Sequence, residues 1–296
     1  MSVNSSKIQR FVIGSVVLVL VAATSMGIFK YLSNRSAAVT LPFPAYQEDW
    51  APYLTTVDSD KVGSVMVDLG LTTLAPVDTR PYRYVVSIGL LHASPNGLPN
   101  DQEFSTLSSI EESIQSSLRT QRSAVFVGHL FCEADMTLYF YLPDEQDPVP
   151  LINEVLQRFP GYSFRGKLEK DAGWEAYKDF LYPLPIQMQS INNLRVIEQL
   201  GSHGDIHEKE RQVDHWIYFA NEQDRASFIR KLNGKGFRVE GKETVDHTDG
   251  KPFQLHISRV DKITPGSADA YILDLWQLAH DCNGDYDGWE TFIVKE

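Results

Sequence analysis

The residues best able to do chemistry are His203 and His207, four apart in SHGDIHEKE, and the acids of the run DCNGDYDGWE at 281–290. Two histidines at that spacing share a helix face and can grip a metal. Here Gly201 and Gly204 interrupt the helix they would need and no HExxH accompanies them, so they read as a loop pair without a ligand role. Asp281, Asn283, Asp285, Asp287 and Glu290 have the oxygen density of a calcium loop. Such a loop requires oxygens at its first, third and fifth positions, glycine at the sixth and a bidentate glutamate at the twelfth. Counting from Asn283 puts Gly288 sixth but Val294 twelfth, and counting from Asp281 puts Tyr286 sixth. The run reads instead as a helix end turning into a last strand, with Gly284 and Gly288 supplying permissive backbone.

Nucleophiles fare no better. No GxSxG, P-loop or dinucleotide fingerprint occurs. Cys132 has His129 three residues before it on a predicted strand, which puts the two on opposite faces, and Cys282 has His280 two before it on a helix, where such neighbours do not meet. No catalytic residue, cofactor or metal is therefore expected. Asp214, His215, Asp285, Asp287 and Glu290 remain as candidates for contact with a partner protein. One of the adjacent pair Asp214 and His215 should face solvent, and the exposed carboxylates near the last turn could receive a basic segment.

The charge balance supports that choice. With 27 Lys+Arg against 39 Asp+Glu the net charge is −12, the opposite of what binding to a phosphate backbone requires, so no direct nucleic-acid partner is expected. Opposite potentials speed encounter with basic partners, although net charge also serves solubility alone. Trp216, Trp276 and Trp289 read as core residues. The two cysteines fall in different blocks, which argues against a structural disulfide.

The elements that must position these residues fall into three parts. Phe11–Phe29 is 19 residues without a charge, flanked by Lys7, Arg10, Lys30 and Arg35. Its length suits a membrane-spanning helix better than a cleaved signal, whose apolar run is shorter. The expectation is a single-pass protein of the bacterial inner membrane, with flanking charges too even to choose a side. A short tether then leads to two blocks.

In the first block, strands are predicted at Tyr82–His92, Ser123–Phe131, Met136–Leu142 and Tyr162–Glu169. Helices fall at Asp101–Thr120 and Val149–Phe159, an edge strand at Val62–Leu71, and a short helix or ordered tail at Trp174–Tyr182. In the second, strands at Val213–Ala220, Phe237–Asp246, Phe253–Asp261 and Trp289–Lys295 alternate with a helix capped by Asn221 and another opened by Thr264-Pro265; Asp249-Gly250 marks a hairpin turn. Between them, 183–204 is punctuated by Pro, Asn and Gly and reads as the domain boundary, with Ile186–Leu200 a candidate helix within it. Both blocks are β-α-β-β-α-β. The predicted fold class is α+β: two tandem ferredoxin-like domains, 46–183 and 205–296, behind one transmembrane helix at 11–29.

The second block resembles the regulator of ribonuclease activity B family, through Arg211-Gln212-Val213-Asp214-His215-Trp216-Ile217-Tyr218-Phe219, Gly236-Phe237 and Tyr286-Asp287-Gly288-Trp289-Glu290-Thr291. The first resembles the bacterial domain of unknown function family 695, through Trp50, Gly97-Leu98-Pro99 with Glu103, Trp174-Glu175-Ala176-Tyr177 and Leu181-Tyr182-Pro183. The second resemblance implies a ferredoxin-like fold and a non-catalytic protein that binds an endoribonuclease and dampens RNA decay. The first implies architecture alone. The competing expectation is an envelope-facing structural or interaction module unrelated to RNA.

Overall fold

The computed structural model describes residues 43–58, 61–246 and 250–296, and the chain divides into two compact units between Pro183 and Leu184.

The first unit is built on a six-stranded antiparallel sheet. Its strands are β1 (Trp50–Val57), β2 (Lys61–Asp68), β3 (Tyr82–Gly89), β4 (Val125–Cys132), β5 (Asp135–Leu142) and β6 (Phe164–Lys170), in the order β1-β2-β4-β5-β3-β6. Helix α1 (Asp101–Arg122) carries Leu107, Ile110, Ile114 and Leu118 at helical spacing, and all four are fully buried. With Ile152 and Val155 of helix α2 (Val149–Leu156) they pack on Val86, Ile88, Met136, Leu138 and Phe140 of the sheet. Asn100 caps α1 by accepting from Glu103 N at 2.8 Å. Glu103 itself is 3% exposed and accepts from Leu91 N, His92 N and the Tyr162 hydroxyl, so both of its oxygens are engaged in fastening a loop.

The opposite face of this sheet is covered as well. Trp174 is wholly buried, stacks on Tyr141 with centroids 4.0 Å apart, and donates Nε1 to Arg80 O. It leads into a π-helical turn, Ala176–Leu181, where Tyr177 Oη donates to Asp68 O and Leu181 O accepts from Tyr53 Oη. The single edge strand expected at Val62–Leu71 is a hairpin of two, β1 and β2, followed by a 3-10 turn at Leu69–Thr73.

The second unit contains helix α3 (Pro185–Ser202), β7 (Arg211–Phe219), helix α4 (Glu222–Lys231), β8 (Arg238–Thr244), β9 (Phe253–Asp261), helix α5 (Pro265–His280) and β10 (Gly284–Glu290). Its four strands lie in the order β10-β7-β9-β8, all neighbours antiparallel. Read as β-α-β-β-α-β, this spatial order is fourth-first-third-second; β4-β5-β3-β6 of the first unit follows the same rule. Asn221 and Thr264 cap α4 and α5, accepting from Asp224 N and Ser267 N. The turn expected at His247–Gly250 falls largely outside the described residues, between the paired Thr244 and Phe253.

The stretch expected to be a boundary is part of this second core. Val196 and Ile197 of α3 join Ile217, Phe228, Leu255, Ile272 and Leu275. Asn193, fully buried, donates Nδ2 to Asp269 Oδ1 at 2.9 Å and accepts from Trp289 Nε1 at 2.7 Å. Helix α3 is thus tied to α5 and β10 by both apolar burial and a buried polar triad, in which Asp269 Oδ2 is left without a hydrogen-bond partner among the described residues.

The membrane assignment is corrected. Phe11–Phe29 lies outside the described residues, and no helix among the described residues is long and apolar enough to cross a membrane. The single-pass inner-membrane localisation is set aside.

Candidate interaction surface

Alternation along β7 sends Val213, His215, Ile217 and Phe219 into the core, where all four are fully buried, and Asp214 and Trp216 to the opposite face. On that face, β9 adds Gln254, His256 and Ser258 in register with Tyr218, Trp216 and Asp214. Trp216 and His256 stack with centroids 4.7 Å apart and planes 7° from parallel. His256 Nε2 lies 2.7 Å from Asp214 Oδ1, and Gln212 Nε2 donates to both carboxylate oxygens of Asp214. Gln254 Nε2 donates to Tyr218 Oη at 2.6 Å, and Ser258 Oγ donates to Glu240. The result is a preorganised polar and aromatic plate, in which Trp216 is partly exposed instead of core. Trp276 is also partly exposed, packed against the core from α5, whereas Trp289 is 1% exposed.

Of the five sequence-predicted contact residues, this geometry joins two. Asp214 and Glu290 are directly opposite in the β7–β10 ladder, so their side chains share a face. Asp285 is exposed on the same strand but near its other end, where it accepts from Lys251 Nζ at 2.6 Å, and Asp287 is partly buried between them.

His215 is a correction. It has no exposed surface, its Nδ1 lies 2.8 Å from Tyr286 Oη, and Phe237 and Tyr271 meet its ring edge-on. Burial first, then the charges of Arg259 and His256, pushes its pKa down to about 3, so the ring is neutral at pH 7 and cannot greet a partner as a cation. The alternation that exposes Asp214 necessarily buries its neighbour.

A cleft of about 460 Å³ runs beside Asp214 and Glu290. Val196 and Leu200 of α3 and His203 just past its end form one wall, Trp289 contributes from β10, and Phe292 and Ile293 of the C-terminal segment form the other. Sequence reasoning missed this wall because the segment is not a strand beyond Glu290: it is fastened by side chains. Asp205 Oδ1 accepts from Val294 N and pairs with Arg211 Nη1, both side chains fully buried, while Val294 O accepts from Ile206 N.

The two histidines take different partners. His203 Nδ1 is 2.7 Å from Gln199 O at the end of α3, whereas His207 Nε2 faces Asp205 Oδ2 at 3.7 Å. Among the described residues no group of three or more His, Cys, Asp or Glu is placed to hold a metal ion. Cys132 and Cys282 are buried free thiols.

Fold and surface define a two-unit α+β protein whose second unit carries a partly buried polar and aromatic plate beside an apolar cleft. Residues 190–291 match the family model for Regulator of ribonuclease activity B, and residues 48–182 match that of the Family of unknown function (DUF695). The resemblance of each block to its family thus holds, and the second match begins inside α3, in keeping with that helix's place in the second core. No curated protein matches the chain. A crystal structure of an unknown protein from Galdieria sulphuraria aligns over 71% of this chain and 98% of its own at 11% identity, with a TM-score of 0.20.

Proposed function

We propose that the protein is a non-catalytic regulator that acts by contact with another protein through its second unit, and that the partner is a ribonuclease or a subunit of an RNA-decay complex. The observation that carries this reading is the match of residues 190–291 to Regulator of ribonuclease activity B. The strand order fourth-first-third-second supports reading each unit as ferredoxin-like, the first over 46–183 and the second over 205–296 with α3 added to it. A fold of that kind carries no function by itself, so the plate around Trp216 and Asp214 and the adjoining cleft are the surfaces assigned to the contact.

The test uses the affinity-tagged full chain. Captured from bacterial extract, it should bring down activity that degrades a labelled RNA, and added to the extract it should slow that degradation severalfold. Capture of no ribonuclease activity, together with unchanged decay, would overturn the reading.

A further inference from the structure

Glu290 and Asp214 face each other across two strands, a placement that like charges disfavour. Asp214 is compensated by His256 and Gln212. The Glu290 carboxylate forms no hydrogen bond or ion pair with another described residue, and no Lys or Arg is among the residues lining the cleft it borders. That cleft is walled by Val196, Leu200, Trp289, Phe292 and Ile293, and its volume of about 460 Å³ sits within the roughly 300–1,000 Å³ usual for ligand sites. Phe292 is 59% exposed and Ile293 40%, yet the backbone beneath them is held by the buried Asp205–Arg211 pair. Two large apolar side chains are therefore kept at the surface on a fixed wall, beside one carboxylate, Asp214, whose described ion-pair partner is His256, and another, Glu290, with no Lys or Arg among the cleft's lining residues.

From this we infer that the cleft seats an extended segment of a partner protein in which a large apolar side chain adjoins an Arg or Lys. The apolar side chain enters between α3 and the C-terminal segment, and the cation lies between Asp214 and Glu290, relieving their repulsion. The inference rests on the protein-binding reading above and specifies the chemistry of what is bound.

The probe is a short fluorescent peptide alternating Arg with Leu and Phe, titrated against the full chain by anisotropy. Matched peptides replace Arg by Glu, or Leu and Phe by Ser. Binding should fall about tenfold or more for either replacement. It should fall similarly for Glu290→Lys and for Phe292→Ser, two accessible positions where loss of folding is not expected and circular dichroism should be unchanged. Equal binding of all three peptides, or binding by both variants equal to that of the unaltered chain, overturns the inference. So does sedimentation showing that the chain self-associates and that Glu290→Lys abolishes it, which would place a second copy in the cleft. If the variants lose the peptide but still slow RNA decay, the cleft is a peptide site and the ribonuclease contact lies elsewhere. If the unaltered chain binds the peptide but touches no ribonuclease, the cleft stands and the choice of partner falls.

Discussion

Replacing Asp269 by Asn should stabilise the second unit by an amount that grows with pH. Asp269 sits on α5 with 2% of its surface exposed, and burial pushes its pKa from 3.8 up to about 8, the hydrogen bond from Asn193 opposing this only in part. Below pH 3.8 the carboxyl is protonated whether the chain is folded or not, so the stability associated with the neutral acid is fully present. As pH rises, the unfolded chain ionises first and is favoured, and the loss levels off once the folded carboxyl ionises near pH 8. At roughly 1.4 kcal/mol per pH unit that interval sets a ceiling of about 5–6 kcal/mol. Asn keeps an acceptor for Asn193 and removes the titration, so its advantage over Asp should be small at pH 4 and rise to several kcal/mol by about pH 8. Urea unfolding of the full chain labelled with fluorotryptophan would follow the Trp289 resonance, which reports this unit separately from Trp174 in the other. A difference between Asp and Asn that stayed constant from about pH 5 to 8 would refute the claim that this carboxyl is held neutral by burial.

Three other outcomes follow from the same contacts. The His215 ring, held down near pKa 3, should show no titration of its proton resonance between about pH 7 and 5, and a midpoint near 6.5 would contradict its burial. Trp174→Ala should cost the first unit about 3–5 kcal/mol, through the lost stack on Tyr141 and an empty site in a fully buried position, with the Trp50 resonance reporting the urea midpoint. Asp205→Ala leaves Arg211 buried without its carboxylate and removes the acceptor for Val294 N, so it should cost about 3–5 kcal/mol and speed carboxypeptidase trimming past Phe292; unchanged trimming would mean the ion pair does not hold the wall.

Local periodicity made most elements legible. Leu107, Ile110, Ile114 and Leu118 announce their helix, and all four lie at 0% exposure. Asn221 and Thr264 announce their caps. What escaped was set by partners distant in sequence. Pro52 discourages reading 50–57 as a strand, yet β1 lies at the sheet's edge, where a missing N–H costs least. Helix α3 is rich in Gln and Asn and flanked by Pro and Gly, so it looks like a boundary, but Asn193 is a core residue because its amide is matched to Asp269 and Trp289, 76 and 96 positions away.

The candidate surface divides along the same line. Asp214 and His215 are both polar, so their own residue types cannot say which belongs inside; the phase is fixed by Val213 and Ile217 on either side. Once that phase is set, His215 must be inside, and it is tolerable there only because Tyr286 meets Nδ1 and the ring can remain neutral. The opposite choice would bury Asp214, an anion whose partners His256 and Gln212 both lie on the open face, and would turn Trp216 inward at the expense of Ile217. The acidic run at 281–290 is resolved by the same ladder: register with β7 brings Glu290 opposite Asp214 and sends Asp285 toward Tyr218. Strand pairing, not acidic density along the chain, therefore makes these carboxylates a joint feature, and it does so beside a cleft whose walls are apolar.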